Sequence, residues 1–238
     1  KGYYVADIST LPTDMDSDFS EAVLSEYHKN TNSADDFLAD LSSNRTVSDN
    51  FPFSIWARLL RETITYRQEE LMTPAPTAGI PELRNAIANH LKQFRNISID
   101  PDRIIIGSGT EYLYSLLIQL LGHEKIYAVE TPGYKKIAQV YKSNNVECRF
   151  ISFSKSGLSI EDLEDSGADI VHISPSHHYP TGIVTPVSKR YELLGWASKN
   201  EGRYIIEDDY DSEFRLTGHP VPTLQSIDLS EKVIYMNT

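Results

Sequence analysis

The chain has 238 residues, 40% of them hydrophobic, and its 34 acidic and 22 basic side chains give a formal net charge of −12. No apolar run approaches the roughly 18 residues that cross a bilayer and no charged-then-apolar leader is visible, so we expect a cytoplasmic protein. The single cysteine, Cys148, excludes an internal disulfide framework, and the acidic balance argues against direct binding of this chain to DNA phosphates.

The first fifty residues differ in composition from the rest of the chain. Residues 1–5 have the pattern of a short strand, and residues 6–50 are polar and rich in aspartate, which is typical of a linker or an N-terminal arm. One amphipathic helix is predicted inside this segment, from Phe19 to Tyr27. We therefore expect the folded domain to begin at residue 51.

Helices and strands are predicted to alternate from Phe51 onward. Apolar residues recur at helical spacing in some segments and form short continuous runs in others. Strands separated by helices pair mostly in parallel, with helices on both faces of the sheet, so the predicted fold class is α/β. The predicted helices are 54–67, 81–94, 111–121, 134–143, 160–165 and 186–199, and the predicted strands are 103–107, 125–129, 146–151, 169–173, 203–207 and 232–236.

Polar residues follow two of these strands in patterns that favour a ligand site. Residues 107–111 (G-S-G-T-E) open the helix after strand 103–107, and small residues at a helix start leave N–H groups free for an anion, typically phosphate. Residues 174–182 (S-P-S-H-H-Y-P-T-G) form a turn after strand 169–173. Because ligands of open α/β sheets bind beyond the carboxyl ends of the strands, we expect these turns to lie close together.

Four carboxylates crowd the end of strand 203–207. Buried acids at such a place need a positive partner or stay protonated. The partner could be a metal, an arginine or the protonated ring nitrogen of a cofactor, and a solvated loop is the alternative. The four acids are Glu207, Asp208, Asp209 and Asp211, with Tyr210 among them.

Segments 108–111 (S-G-T-E), 130–134 (E-T-P-G-Y), 174–182 and 205–215 (I-I-E-D-D-Y-D-S-E-F-R) together carry a family resemblance. They resemble the pyridoxal-phosphate (PLP) aminotransferases of fold type I, and most closely the aminotransferase-like domain of MocR-type transcriptional regulators, which are related to the GntR family. The resemblance covers residues 51–238. It implies the three-layer large domain of those PLP-dependent transferases, with a mostly parallel sheet and helices on both faces.

The resemblance also implies roles for three side chains around the PLP ring. Asp208 matches the aspartate at the pyridine nitrogen, where a carboxylate keeps that nitrogen protonated. Tyr210 matches the tyrosine that bonds the ring oxygen. Plain aminotransferases have Asp and Tyr three positions apart, whereas these two are two apart, as in the MocR type. Tyr134 matches the aromatic residue that stacks on the ring.

Two further groups complete the cofactor site that the resemblance implies. Ser108, Gly109 and Thr110 match the phosphate-binding turn. His177 is expected near the ring, because the turn 174–182 replaces the Asn-Pro-Thr-Gly of plain aminotransferases. Glu111 departs from the glutamine of MocR relatives, and an acid beside a phosphate is unfavourable unless it points away.

His177 and the adjacent His178 offer a second interpretation, a zinc site. Adjacent residues rarely converge on one ion, and no third ligand is spaced for it. We therefore expect no metal in this chain.

The function implied is a PLP-binding effector domain that senses an amino compound through aldimine exchange. The resemblance also implies a homodimer and DNA binding only through an upstream winged helix, whose last wing strand residues 1–5 resemble. A stand-alone class I or II aminotransferase is the alternative, and a passive binding module for phosphate esters is a third possibility. In MocR-type proteins Phe-Ser-Lys follows the last strand, so we expect the Schiff-base lysine beyond Thr238, no catalytic lysine here, and no activity from this chain alone.

Overall fold

The computed structural model describes residues 48–213 and 221–238. The chain divides into two compact units, Lys1–Met72 and Thr73–Thr238. The predicted strand at residues 1–5, the helix from Phe19 to Tyr27 and most of the predicted arm lie outside the described residues. No helix within the described residues is both long enough and apolar enough to span a membrane.

The first unit contains an amphipathic helix whose apolar face is open. After a 3₁₀ turn at Ser48–Asn50 come helix α1, Phe53–Tyr66, and the short helix α2, Gln68–Leu71. The side chains of the α1 stripe are each 46–55% exposed, so this stripe is not covered by the described residues. Its members are Ile55, Trp56, Leu59, Leu60 and Ile64.

The second unit is a three-layer α/β domain, which confirms the predicted fold class. Its six strands are hydrogen-bonded in the order β3-β2-β1-β4-β5-β6, and every neighbouring pair is parallel except β2 and β3. Its elements are α3 Pro81–Arg95, α4 Thr110–Leu121, β1 Ile126–Thr131, α5 Lys135–Ser143, β2 Glu147–Ser154, β3 Gly157–Leu158, α6 Ile160–Asp165, β4 Ile170–Ile173, α7 Val187–Ser198, β5 Tyr204–Asp208, α8 Leu224–Ile227 and β6 Val233–Met236.

Side chains of each strand alternate between two hydrophobic cores, because successive residues of a strand point to opposite faces. In β5, Ile205 packs in the core formed with α6, α7 and α8, and Ile206 packs in the core formed with α4 and α5. Trp196 of α7 and Tyr141 of α5 are fully buried in the respective cores. The same alternation decides which helices each polar residue at the strand ends will meet.

The predicted strand at 103–107 is wrong. Pro101–Arg103 form a 3₁₀ turn that Asp100 caps, since its carboxylate accepts from the N–H of Asp102 at 2.9 Å. The apolar residues that follow join no strand of the described sheet, and Ile106 N–H donates to Ala78 O at 3.1 Å. A strand needs a ladder of partners, and an apolar triplet alone cannot show whether one exists.

The short strand β3 was not predicted from the sequence. Gly157, with φ of +96°, turns the chain back so that β3 pairs antiparallel with the end of β2. The serine hydroxyl of Ser154 accepts from the N–H of Ser156 at 3.3 Å in this turn. The sequence signal was Ser156-Gly157, a dipeptide typical of turns.

Candidate active site

Strand register brings the polar strand ends to one edge of the sheet. Val129 of β1 pairs with His172 of β4, and Ile173 of β4 pairs with Glu207 of β5. The residues that immediately follow the three strands therefore lie level with one another. This is the edge at which open α/β sheets bind ligands.

Asp208 lies at the end of β5 on the α4 and α5 side and is only 4% exposed. Its Oδ2 accepts a hydrogen bond from the hydroxyl of Tyr114 at 2.7 Å. Burial raises the pKa of Tyr114, and the nearby Asp208 carboxylate raises it further, so the phenol stays protonated and donates. The other carboxylate oxygen, Oδ1, is buried and has no hydrogen-bond partner among the described residues.

His172 is a buried site residue that sequence reasoning missed. Its Nε2 lies 3.5 Å from Asp208 Oδ2, and its Nδ1 lies 2.7 Å from the hydroxyl of Tyr141. The ring of Tyr114 meets the imidazole edge to face, with centroids 4.9 Å apart. The available signal was a polar residue in an otherwise apolar strand, because strand alternation places residue 172 on the same face as Ile170.

The predicted phosphate turn lies at the N-terminus of α4. Gly109 has a φ of +99°, a left-handed conformation that favours glycine, and no heavy atom lies within 4 Å of the position a Cβ would take there. Ser108 is exposed, and Thr110 is the first residue of the helix. The neighbouring Thr110 hydroxyl opposes the rise in the Tyr114 pKa.

The carboxylate of Glu111 has a partner on the neighbouring helix. Lys136 Nζ of α5 lies 3.1 Å from Glu111 Oε1. Lys136 therefore balances the negative charge of Glu111, the residue that stands in place of the glutamine of MocR relatives. Both side chains are more than 40% exposed, so the pair is a solvent-screened one.

Tyr210 and His177 contact each other beside the edge of the sheet. The Tyr210 hydroxyl donates to the backbone oxygen of His177 at 3.0 Å, and the two rings are stacked with centroids 6.2 Å apart. His177 Nδ1 contacts the carboxylate of Asp211. Burial raises the pKa of Tyr210 to about 12, helped by the nearby Asp211 and Asp208 carboxylates. The phenol oxygen thus keeps its proton and still has lone pairs to accept a bond.

Tyr134 precedes α5, and half of its surface is exposed. It meets Tyr179 edge to face, with ring centroids 5.7 Å apart, and Tyr179 is equally exposed. By the resemblance, Tyr179 stands where plain aminotransferases have the asparagine of Asn-Pro-Thr-Gly. The two aromatic side chains therefore offer flat apolar surface to a planar ligand.

The other carboxylates of the acidic run have partners of their own. Glu207 points to the opposite face, where Arg190 Nη1 lies 3.5 Å from its Oε1 and the N–H groups of Leu224 and Gln225 donate to it at 2.9 Å. Asp209 pairs with Arg95 and accepts from the Tyr235 hydroxyl. Among the partners that the sequence left open, arginine therefore serves Glu207 and Asp209, whereas no lysine or arginine among the described residues pairs with Asp208.

The two adjacent histidines point to different partners. His178 is buried, stacks on Phe153 with centroids 3.5 Å apart, and bonds the Thr181 hydroxyl at 2.7 Å. Its Nε2 lies 3.7 Å from Glu130 Oε2. Within residues 48–213 and 221–238, no group of three His, Cys, Asp or Glu side chains is arranged to hold a metal ion.

The three-layer α/β domain, the buried carboxylate at the end of β5 and the glycine turn at the start of α4 together define an aminotransferase-like domain. The chain belongs to the family described as aminotransferase class I and II, whose model matches residues 38–218. In structure, the chain is similar to the Pyrococcus horikoshii kynurenine aminotransferase solved with PMP, kynurenine and its product. The TM-score is 0.75 at 23% identity, covering 94% of this chain and 56% of that one.

Two regulators show the same domain type at higher identity. The chain is 36% identical to the uncharacterized HTH-type transcriptional regulator YdeL of Bacillus subtilis, over 84% of this chain and 43% of YdeL. It is 34% identical to the probable rhizopine catabolism regulatory protein MocR of Rhizobium meliloti, over 79% of this chain and 38% of MocR. These relatives confirm the resemblance to MocR-type regulators. The chain spans half or less of the length of the curated relatives it matches.

Proposed function

We propose that residues 51–238 form the PLP-binding effector domain of a MocR-type transcriptional regulator. The observation that carries this proposal is the buried Asp208 carboxylate. Tyr114 donates to its Oδ2, whereas its Oδ1 has no hydrogen-bond partner among the described residues. Its place at the end of a parallel strand, beside a helix N-terminus, suits a ligand with both a basic ring nitrogen and a phosphate. The higher identity to regulators supports this function over a stand-alone aminotransferase.

The residues present fit the chemistry of PLP. Asp208 Oδ1 would accept from the protonated pyridine nitrogen, and the N–H groups and hydroxyls of Ser108, Gly109 and Thr110 would bind the phosphate. Tyr134 would lie on the ring, which leaves Tyr210 and His177 as neighbours of the ring oxygen. When bound, PLP supplies an electron-withdrawing ring that activates amino-group chemistry.

Three features of the chain set the charges around this site. Tyr114 donates to Asp208 and thereby favours the carboxylate over the neutral acid. The positive end of the twelve-residue helix α4 favours an anion at Gly109. His177 is held against Asp211 and Tyr210, so it can keep or pass a proton at the solvent side of the site.

Recognition by the whole protein follows from the same proposal. An amino compound that reacts at the cofactor would change the contacts of this domain and so bias an upstream winged helix on DNA.

The open apolar stripe of α1, which includes Trp56 and Leu60, would pack in a homodimer, because monomers rarely expose a stripe of this kind. A DNA-binding regulator of this kind would reside in the cytoplasm.

Equilibrium dialysis of the whole protein against PLP tests the cofactor assignment. We expect Asp208→Asn to weaken PLP binding at least about tenfold, because the neutral amide leaves the ring nitrogen without a counter-charge. Asp165→Asn removes the same charge from the exposed end of α6 and should leave the affinity unchanged. Equal affinities of wild type and Asp208→Asn would contradict the assignment.

A second measurement separates the regulator from the enzyme. We expect an amino compound to change binding of the PLP-loaded protein to its own promoter DNA, without sustained turnover of amino and keto acids. Multiple turnovers with no effect on DNA binding would instead support the stand-alone aminotransferase.

A further inference from the structure

A connected series of buried polar side chains lies beneath Asp208. Tyr114 comes from α4, Tyr141 from α5 and His172 from β4, and none of the four residues is more than 4% exposed. The contacts run from Tyr141 to His172 Nδ1 at 2.7 Å, from His172 Nε2 to Asp208 Oδ2 at 3.5 Å, and from Tyr114 to the same oxygen at 2.7 Å. Tyr114 therefore donates to Oδ2, His172 Nε2 lies 3.5 Å from the same oxygen without a hydrogen bond to it, and no described residue bonds Oδ1.

The hydroxyl of Tyr141 decides which imidazole nitrogen carries the hydrogen. Burial raises the pKa of Tyr141 well above its ordinary value, so this residue stays a phenol with a hydrogen to donate. Its partner is His172 Nδ1, and the other ring nitrogen, Nε2, lies 3.5 Å from Asp208 Oδ2, so acceptance at Nδ1 with the hydrogen at Nε2 suits both contacts. A neutral imidazole that accepts at Nδ1 carries its N–H at Nε2, the nitrogen that faces Asp208.

We propose that Tyr114 and His172 are positioning residues that hold Asp208 by Oδ2 alone, so that Oδ1 is left as the acceptor for the ring nitrogen of the cofactor. Tyr141 fixes the His172 tautomer that makes this possible. At 3.5 Å the Nε2–H acts on Asp208 as a directed dipole rather than as a short hydrogen bond. The identity of the ligand rests on the proposed function, whereas the direction of the hydrogen bonds does not.

Nitrogen NMR of the protein without added cofactor tests the tautomer. Long-range ¹H–¹⁵N correlation spectra should show His172 neutral and protonated at Nε2. Tyr141→Phe should shift the ring toward a mixture of tautomers. Tyr127→Phe is the matched control, because Tyr127 is equally buried in the same core but its hydroxyl donates to Gly122 O at 3.0 Å. An Nδ1–H tautomer in the wild type would overturn the proposal.

The affinity for PLP tests whether Tyr114 and His172 position Asp208. We expect Tyr114→Phe to weaken PLP binding about tenfold, the effect of losing one donor to a charged group, and His172→Leu to weaken it about threefold, because its longer contact is weaker. His172→Gln, whose amide nitrogen can take the place of Nε2, should recover most of the affinity. Tyr127→Phe should bind as the wild type does. Equal loss in His172→Leu and His172→Gln would show that only packing matters and would overturn the positioning role.

The two measurements also separate this inference from the proposed function. If the wild type fails to bind PLP, the proposed function fails, and the NMR spectra still decide the tautomer. If the wild type binds PLP and Tyr114→Phe binds equally well, the positioning role alone fails. Should His172→Leu not fold, Tyr114→Phe and His172→Gln still give both outcomes.

Discussion

Two neighbouring carboxylates, Glu207 and Asp208, face opposite sides of the sheet and meet different surroundings. Glu207 is fully buried on the α7 and α8 side and has Arg190 and two backbone N–H groups as partners. Asp208 is buried on the α4 and α5 side. Its Oδ2 accepts from Tyr114, and its Oδ1 has no hydrogen-bond partner among the described residues. The partners of Glu207 suit a stabilising role, whereas the unpaired Oδ1 of Asp208 is the atom that PLP would satisfy under the function proposed above.

The largest expected effect comes from removing the cation on the satisfied side. Arg190→Met should lower the free energy of unfolding by about 3–5 kcal/mol, because Glu207 is then a buried charge without its counter-ion. Denaturant titration measures this change. Adding Glu207→Gln should recover part of the loss, and a double variant as unstable as Arg190→Met would show that the arginine acts only through its carbonyl contacts.

The next effect concerns Glu130, which lies on the same face as Glu207; the histidine 3.7 Å from its Oε2, His178, has its pKa lowered by burial, which favours the neutral ring. Burial raises the pKa of Glu130 to about 8, with Asp208 adding to the rise and the N–H of Ser174 opposing it. Below the unfolded pKa of 4.5 its contribution to stability is fully present, and it is lost as the pH rises from there through about 8. The slope is at most about 1.4 kcal/mol per pH unit.

Glu130→Gln should remove this part of the pH dependence, since glutamine does not titrate. Denaturant titrations of variant and wild type between pH 5 and about 9 give the difference. Glu161→Gln, on the exposed surface of α6, serves as the control and should leave the profile unchanged. Parallel profiles of wild type and Glu130→Gln would mean that Glu130 titrates normally in the folded chain.

A smaller change in stability is expected on the open side. Asp208→Asn should alter the free energy of unfolding by less than about 1 kcal/mol, because Tyr114 can still donate to the amide oxygen. A loss as large as that of Arg190→Met would erase the distinction between the two carboxylates. Thermal and denaturant unfolding without added PLP measure it.

The smallest effect is expected at the pair of Glu111 and Lys136. Glu111→Gln restores the family residue and breaks an exposed ion pair, so stability should change by less than about 0.5 kcal/mol. Phosphate-ester affinity should rise slightly, because a negative charge near the helix start is removed. A fall in that affinity, measured by dialysis against PLP, would indicate that Glu111 itself contacts the ligand.

Local sequence patterns predicted six of the eight described α-helices and five of the six described strands, because each pattern lies within one element, and they missed the four-residue helices α2 and α8. The acidic run around Asp208 was recognisable for the same reason. The strand at 103–107 was predicted wrongly, since pairing depends on residues far along the chain. His172 was missed because its role comes from Tyr141 and Asp208, which are distant in sequence and meet only in the fold. The roles of the cofactor-binding residues stay predictions.

The guanidinium of Arg190 has one more consequence, for the motion of the strand-end loops. It donates to the backbone oxygens of Pro175, Thr185 and Pro222, so three stretches of chain are fastened to one rigid, forked group. Local unfolding of any of these stretches must break a hydrogen bond to the same guanidinium group. Hydrogen exchange should therefore find the amides of Thr185 and Leu224 exchanging at a common rate, as one cooperative unit.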